Sequence, residues 1–281
     1  MHIKITMDST SDLPPALIEQ YDISLIRLCI VKNGTLLIDG LEIVPDDIFD
    51  CVDGGGGVCH TVAVNVADYD AEFSKYLADY DALIHFSISS DMSSCHQNAV
   101  IASKKFENVY VIDTGTLSSG IGYSAVEAAI MAQSGALPAD IVEYVKINLD
   151  KIETSFIIDS LKYLHKGGRC SSLASLGANV LKLKPCIEVK NSKMDVGKKY
   201  RGNFDKVILQ YVNDKLKNRD DIDTSRIFVT FPCRTPQAVV AEVIALVKSL
   251  HKFDEVYETV AGCSISNHCG PVCLGVIFRS K

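Results

Sequence analysis

Short apolar runs and amphipathic stretches alternate along the first half of the chain. Strand-like runs lie at residues 3–7, 23–31, 82–88 and 109–113, and helix-like stretches at 14–21, 46–52, 71–80, 93–106, 117–134 and 138–151. Strands that alternate with helices are typical of α/β folds, in which helical crossovers join mainly parallel strands. The pattern therefore predicts an α/β fold for this half.

The alternation restarts after about residue 153. Strands are predicted at 155–158, 226–231, 256–260 and 273–278, helices at 161–166, 172–183, 204–217 and 236–250, and a hairpin at 186–190 and 194–199. The hairpin is predicted because Asn191-Ser192 is a favourable two-residue turn. We therefore expect two α/β domains with mainly parallel sheets, residues 1–153 and residues 154–281.

Composition limits the classes of protein to which the chain can belong. The 281 residues are 47% hydrophobic and 22% charged, which is ordinary for a folded globular protein. A net charge of −7 gives no basic footprint, so no nucleic acid partner is expected. No apolar stretch approaches the ~18 residues of a membrane span. The start of the chain lacks signal-peptide features, so the ten cysteines are expected to be reduced thiols in the cytoplasm.

Charge is unevenly distributed along the chain. Between residues 160 and 201 there are ten basic residues and two acidic ones, a local charge of +8. The rest of the chain is then −7 − 8 = −15. This stretch is either a surface for an anionic partner or headgroup, or simply a solvated face.

Four polar segments follow strand-like runs or precede helix-like ones, at residues 8–14, 59–61, 89–94 and 267–271. Ligands in open α/β sheets bind at the carboxyl ends of strands, and hydroxyls at a helix start can hold a carboxylate or phosphate. The same Ser and Asp side chains also serve as ordinary helix N-caps. A lone histidine such as His268 is often only a structural donor, so spacing alone leaves both interpretations open.

Taken together, several segments resemble the DegV family. They are DSTSDLP at 8–14, SS at 89–90 followed by Ser93, VIDT at 111–114, LKYL at 161–164, KGGR at 166–169, LKP at 183–185 and HCGP at 268–271. They occur in the family's order, so the resemblance covers essentially the whole chain. The KGGR and HCGP segments are specific when they occur together.

The resemblance implies a two-domain α/β fold that holds one long-chain fatty acid between the domains. It also implies binding without catalysis, because family members of this kind are the fatty-acid-binding subunits of bacterial fatty acid kinase. A separate ATP-dependent kinase phosphorylates the bound carboxylate to an acyl phosphate for phospholipid synthesis. On this expectation the partners are a long-chain fatty acid and that kinase, and the chain itself needs no cofactor.

The resemblance also carries residue roles onto this sequence. It puts Thr61 and Ser93 where hydroxyls hold the carboxylate, and His268 near the headgroup. The expected ligand-binding set is Thr10, Thr61, Ser93, Ser94 and His268, the expected kinase contact is Arg169, and no metal ligand is expected.

Two segments depart from the family's usual pattern. Val62-Ala63-Val64 stands where Ser-Gln-Pro is common, and Ser94-Cys95 stands where Gly-Thr is common. The first departure removes polar groups near the expected headgroup. The second, together with Cys269 in place of a more usual threonine, predicts two thiols near the cleft.

Two other functions are compatible with the same residues. A serine hydrolase could use Ser93 as nucleophile and His268 as base, although no Gly-x-Ser-x-Gly segment surrounds any serine. A metal site could combine His268 with Cys269, Cys273 and Cys263, although zinc sites usually have more tightly paired ligands.

Overall fold

The computed structural model describes residues 1–57, 59–170, 172 and 183–281. Within these ranges the strands are β1 (Ile3–Asp8), β2 (Ile23–Ile26), β3 (Cys29–Lys32), β4 (Thr35–Ile38), β5 (His60–Val62), β6 (Ala82–Ser87), β7 (Val109–Asp113), β8 (Ile152–Ile158), β9 (Leu183–Lys190), β10 (Lys193–Arg201), β11 (Ile222–Phe231), β12 (Glu255–Val260) and β13 (Cys273–Ser280). The helices are α1 (Pro15–Gln20), α2 (Pro45–Asp53), α3 (Val66–Tyr76), α4 (Cys95–Ser103), α5 (Ser119–Gln133), α6 (Pro138–Asn148), α7 (Leu161–Gly167), α8 (Phe204–Leu216), α9 (Gln237–Leu250) and α10 (Cys263–Cys269). None of these helices is both long and apolar enough to cross a bilayer.

The first sheet is parallel throughout, in the order β2-β1-β6-β7. Strand β6 is buried along its whole length, and β1 is buried from Lys4 onward. Helices α4, α5 and α6 pack on this sheet, which is the usual arrangement for parallel strands. The predicted parallel α/β architecture is confirmed for this part of the chain.

The second sheet is mixed, in the order β10-β9-β8-β13-β11-β12. Among its described pairings only β11–β12 is parallel, so the expectation of a mainly parallel second sheet is wrong. The cause is in the connections: parallel neighbours need long crossovers, whereas the β9–β10 hairpin turns within two residues. Asn191 and Ser192 have φ of 49° and 65°, which is the backbone of such a hairpin turn.

A third, small antiparallel sheet has the order β4-β3-β5. The single strand predicted at residues 23–31 is in fact two strands, β2 in the first sheet and β3 in this one. The break falls at Leu28, whose backbone N–H donates to the Ser9 hydroxyl at 3.1 Å instead of to a neighbouring strand. This contact brings the turn after β1 next to the small sheet.

One apolar core extends across the two large sheets. It joins Met7 and Phe86 of the first sheet to Phe156, Phe228 and Ile277 of the second. A second core lies between the far side of the second sheet and helices α8 and α9. Strand β8 begins at Ile152, next to the expected domain boundary, and the division into two domains stays a prediction. The helix predicted at 172–183 falls almost wholly outside the described residues.

Candidate functional site

A cavity of about 340 Å³ lies where the turn after β1, strand β5, the loop before α4, the end of α7 and helix α10 meet. All six residues that the sequence singled out line it: Thr10, Thr61, Ser93, Ser94, Arg169 and His268. The structure thus brings together residues that lie up to 258 positions apart (268 − 10). Their contact with a ligand stays a prediction.

Thr10 lies in the short 3-10 turn Ser9–Ser11, directly after β1. Its side chain is buried, and its Oγ1 has no hydrogen-bond partner among the described residues. Asp8, the residue directly before the turn, anchors it: its carboxylate accepts from the Tyr69 hydroxyl at 2.6 Å and from the Ile88 N–H at 2.9 Å. A buried hydroxyl without a partner is costly, so Thr10 is a polar group that a ligand could satisfy.

Thr61 and His268 meet across the cavity, with 3.2 Å between Thr61 Oγ1 and His268 Nε2. Burial, and secondarily the charge of Arg169, lowers the pKa of His268 to about 4. The ring is therefore neutral at neutral pH, with one nitrogen protonated. Its Nδ1 has no hydrogen-bond partner in the described part of the chain and packs on Gly167, where an added Cβ would lie 2.1 Å away.

Ser93 and Ser94 precede helix α4. The Ser93 hydroxyl accepts from the Cys95 N–H at 3.2 Å and donates to the Cys95 thiol at 3.1 Å. Burial, followed by the charge of Asp8, raises the pKa of Cys95 to about 12, so this side chain is a neutral thiol. Ser94 is exposed at the rim of the cavity.

Arg169 is an exposed cation at the mouth of the cavity. Its Nη1 donates to the Gly167 carbonyl at 2.7 Å, and no carboxylate of the described residues pairs with it. Other cations of the basic stretch do have partners: Lys162 with Asp53, Lys184 with Asp159, Lys190 with Glu188, Lys193 with Asp91 and Lys198 with Asp214. The predicted basic face is therefore partly neutralised. Among its described residues, Lys166, Lys199 and Arg201 have no carboxylate partner, like Arg169, but only Arg169 lines the cavity.

Helix α10 was not predicted, and it contributes Ser264, Ile265 and Cys269 to the cavity in addition to His268. The buried Ser264 hydroxyl donates to Asp39 at 2.8 Å, which fixes the helix against the small sheet. The helix has seven residues without a long periodic pattern. The signal that could have located it is Gly270-Pro271 at its end, a common helix stop.

A second, apolar cavity of about 20 Å³ continues from the first. The two cavities share Leu117, Ile265 and Cys269. The walls of the second cavity include Phe156, Phe231, Pro232, Ala261, Cys273 and Ile277. This apolar route from the hydroxyls toward the core between the two large sheets has room for about one water molecule, so a longer apolar group has to widen it. Of the two thiols expected near the cleft, Cys269 lines this route and Cys95 contacts Ser93.

Comparison with known proteins identifies the family. The model of a family described as "Uncharacterised protein, DegV family" matches residues 2–281. The chain belongs to the DegV family. A DegV domain-containing protein of Caldanaerobacter subterraneus subsp. tengcongensis is 30% identical over 281 residues, which cover 99% of each chain. A protein of Thermotoga maritima named "Fatty acid-binding protein" is 31% identical over 284 residues, with 98% of this chain and 96% of that one covered.

A solved structure shows the same fold as this DegV protein. It is described as "Fatty Acid Binding of a DegV family Protein from Thermus thermophilus", and it matches with a TM-score of 0.88 at 25% identity, covering 100% of both chains. The family resemblance inferred from the sequence and the α/β fold with two large sheets are therefore confirmed.

The geometry of this DegV protein does not favour the hydrolase alternative. Ser93 is hydrogen-bonded to Cys95, and His268 Nε2 faces Thr61, so the described side chains do not form the nucleophile–base contact that a serine hydrolase needs. A histidine with a pKa of about 4 is also a weak base at neutral pH.

The metal alternative is not favoured either. The Cys263 thiol donates to the Ile43 carbonyl, away from the cavity, while Cys269 and Cys273 contact one another. Within the described ranges, no group of three or more His, Cys, Asp or Glu side chains is placed to hold a metal ion.

A larger cavity of about 550 Å³ lies between the loop after β7 and the β9–β10 hairpin. Most of its charged side chains are already paired: Glu188 pairs with Lys190 at 2.5 Å and with Lys215 at 2.6 Å, and Glu153 pairs with Arg219 at 2.6 Å. Among its described charged lining residues only the exposed carboxylate of Asp150 lacks an ion pair, and it would repel an anion, in contrast to the Thr10 hydroxyl and the Arg169 cation of the first cavity.

Proposed function

We propose that this DegV protein binds one long-chain fatty acid. The carboxylate would contact Thr10, Thr61 and Ser93, with His268 behind Thr61, and the acyl chain would fill the rest of the cavity and widen the apolar route. Support comes from two relatives, the Thermotoga maritima protein named as a fatty acid-binding protein and the Thermus thermophilus DegV protein described as binding fatty acid.

The observation that carries this proposal is the change in chemistry along the cavity. Thr10, Thr61 and Ser93 bring hydroxyls to its first part, whereas the continuation past Leu117 and Ile265 has mainly aliphatic and aromatic walls. A fatty acid has the same order, one anionic end followed by methylenes. A purely polar anion would leave the apolar part empty, and a hydrocarbon would leave the Thr10 hydroxyl without a partner.

The headgroup chemistry follows from which hydroxyls can donate. A carboxylate removed from water needs several donors. When His268 carries its proton on Nε2, it donates to Thr61 and leaves the Thr61 hydroxyl free to donate to the carboxylate. The Ser93 hydroxyl would donate to a carboxylate oxygen instead of to the Cys95 thiol, which is a weak acceptor. The Thr10 hydroxyl has no hydrogen bond to another described residue, so it would break none when it donates to the carboxylate.

The acyl chain supplies the affinity. A tail of ~16 methylenes at ~0.8 kcal/mol each gives a gross burial term above ~10 kcal/mol, from which ordering costs are subtracted. We therefore expect the protein to retain a fatty acid through purification.

We further propose that a separate ATP-dependent kinase converts the bound carboxylate to an acyl phosphate for phospholipid synthesis. A kinase needs access to the carboxylate end, and the exposed Arg169 lines the same cavity as Thr61 and Ser93. Its unpaired cation suits a contact with the kinase or with the transferred phosphate. All ten cysteines are free thiols, which supports the reducing cytoplasm as its compartment.

Native mass spectrometry of the purified protein, followed by organic extraction and identification of what is released, tests fatty-acid binding. We expect a fatty acid in near-stoichiometric amount, and delipidated protein should bind oleate or palmitate again. A protein that is empty and that binds neither added acid would contradict the proposal.

Two substitutions test the headgroup contacts. Ser93→Ala and Thr61→Val should each weaken oleate binding about 10-fold or more, because each removes a hydrogen bond to a charged group. Ser249→Ala removes an exposed hydroxyl that only contacts the Leu246 carbonyl within α9, and it should leave affinity unchanged. Equal affinities for all three variants would assign the carboxylate to another place.

A further inference from the structure

The small antiparallel sheet has an apolar face that is exposed to solvent. The register places Ile38, Cys29 and Val62 in one row across this face, and Leu36, Val31 and His60 in the next. These six residues define what we call the outer sheet face. The exposed apolar side chains on it are Leu36, Ile38 and Val62, and Leu41 and Val44 are exposed in the segment that follows β4. Clustered exposed apolar side chains commonly mark an interaction surface.

The outer sheet face adjoins the proposed fatty acid site. Successive residues of a strand point to opposite faces, so Thr61 on the inner side of β5 reaches His268 while Val62 belongs to the outer sheet face. Val62 is 37% exposed and also lines the cavity. A molecule seated on the outer sheet face would therefore lie directly beside the headgroup.

Carboxylates outnumber cations around the outer sheet face, where Lys32 pairs with Asp47, and where Arg27, two residues before Cys29, donates to the Asp39 carbonyl at 2.8 Å. Burial, followed by the carboxylates of Asp68 and Glu42, raises the pKa of the Cys29 thiol at the centre of the face. Among the described residues, Asp68 and Glu42 form hydrogen bonds with Asn65 and the Ile38 N–H, and neither has a basic partner. Such a rim attracts basic side chains, whereas it repels an anionic bilayer and the same rim on a second copy of the chain.

We propose that the outer sheet face docks a protein partner whose own surface has an apolar centre surrounded by Lys and Arg side chains. The inference rests on the proposed function, because a partner that acts on the bound carboxylate has to sit beside the cavity mouth. The apolar row contributes affinity, and the carboxylate rim contributes orientation and association rate.

The test uses the purified ATP-dependent fatty acid kinase of the source organism as probe, with delipidated protein reloaded with oleate. Leu36→Lys puts a like charge and a desolvation penalty into the apolar row, and it should weaken kinase binding about 30-fold or more in calorimetric titration. Glu42→Lys should slow association and reduce its dependence on salt. Ile147→Lys is the matched control, since Ile147 is 64% exposed on α6, away from this sheet, and it should bind as the wild type does.

Oleate affinity, measured separately, distinguishes a failure of the proposed fatty-acid binding from a failure of the proposed docking surface. Wild-type protein that binds no fatty acid would overturn the proposed function itself. Wild-type oleate binding combined with unchanged kinase binding by Leu36→Lys would overturn the docking surface alone. Wild-type oleate binding with no kinase binding at all would overturn both the docking surface and the proposed kinase step, and would leave fatty-acid binding standing. If the wild type forms dimers that Leu36→Lys abolishes, the face belongs to a second copy of the chain. If the wild type binds phosphatidylglycerol vesicles and Leu36→Lys does not, the face belongs to a bilayer. Either result would overturn the protein-partner proposal.

Discussion

Removal of the Thr10 hydroxyl should stabilise the empty protein and weaken ligand binding. In the empty protein it is buried without a described partner, so replacing it by the isosteric Val removes a penalty. We expect Thr10→Val to raise the free energy of unfolding of the delipidated protein by about 1 kcal/mol. The same change should weaken oleate binding about 10-fold, because the carboxylate loses a donor. Urea unfolding and oleate titration measure the two effects.

The control for Thr10→Val is Thr116→Val. The Thr116 hydroxyl is equally buried, but it donates to Thr154 Oγ1 at 2.8 Å. Its removal should lower stability and leave oleate affinity unchanged. If Thr10→Val behaved in the same way as Thr116→Val, Thr10 would not be a ligand contact.

Asp12 should make stability depend on pH near neutrality. Burial raises its pKa to about 7 from an ordinary 3.8, although hydrogen bonds from Ser118 and Gly262 act in the opposite direction. Between about pH 4 and 7 the folded protein keeps a proton that the unfolded chain has lost, so this contribution to stability falls as pH rises through that window. Above about pH 7 both states are ionised and the dependence ends.

Asp12→Asn tests this directly, because the amide stays neutral and can still accept from the Gly262 N–H, which lies 2.8 Å from Asp12 Oδ1. The stability of the variant relative to wild type should increase with pH between about 5 and 7, by at most about 1.4 kcal/mol per pH unit. Urea unfolding at a series of pH values measures this difference. Parallel curves for the two proteins would mean that Asp12 ionises at its ordinary pKa.

Among the elements, helices α7 and α10 position His268. An added Cβ at Gly167 would lie 2.1 Å from His268 Nδ1 and 3.0 Å from Cε1, so Gly167→Ala has to displace the ring and break its contact with Thr61. We expect about 1–3 kcal/mol of lost stability from overpacking, and a clear loss of oleate affinity. Thermal unfolding and oleate titration report these two quantities.

A substitution at the neighbouring Gly168 distinguishes the effect of backbone strain from the effect of displacing the His268 ring. Gly168 has φ of +67° and open space where a Cβ would lie. Gly168→Ala should therefore lower stability through backbone strain alone and leave oleate affinity intact. Equal affinity losses for both variants would indicate a general effect on the end of α7.

Element-level prediction from sequence succeeded where local pattern and tertiary role agree. Strands β1 and β6 of the first sheet are buried runs followed by helices, and the Asn191-Ser192 turn fixes its own hairpin. Strand β4 was missed because three of its four residues are exposed, so no alternation marks a buried side. Helix α10 was missed because its position comes from tertiary contacts such as Ser264 with Asp39.

The candidate site was also predictable only where the local sequence carries the information. The residue types in the polar segments were evident in the sequence, and the family resemblance assigned their roles. Spacing could not distinguish an N-cap from a ligand contact, since Thr61 and His268 are 207 positions apart and meet only in the folded chain. Apolar lining residues such as Met194 carry no chemical signal of their own.

At the scale of the whole molecule, the two large sheets are joined by buried polar contacts as well as by a shared core. Thr116 of the first half bonds Thr154, Ser119 bonds Thr230 at 2.7 Å, and Asp12 accepts from the Gly262 N–H. Separating the sheets would expose these groups together with the apolar core between them. We therefore expect the two halves to unfold together, even if they are counted as two domains.

Calorimetry of delipidated protein should accordingly give one transition, and oleate should move all of it upward. Because the ligand binds the folded state, a free concentration of 100 times Kd adds about 2.7 kcal/mol to the free energy of unfolding. For a chain of 281 residues that corresponds to a rise in Tm of roughly 5 °C. Two transitions, of which oleate shifts only one, would mean that the cavity belongs to one half and that the shared core does not couple the sheets.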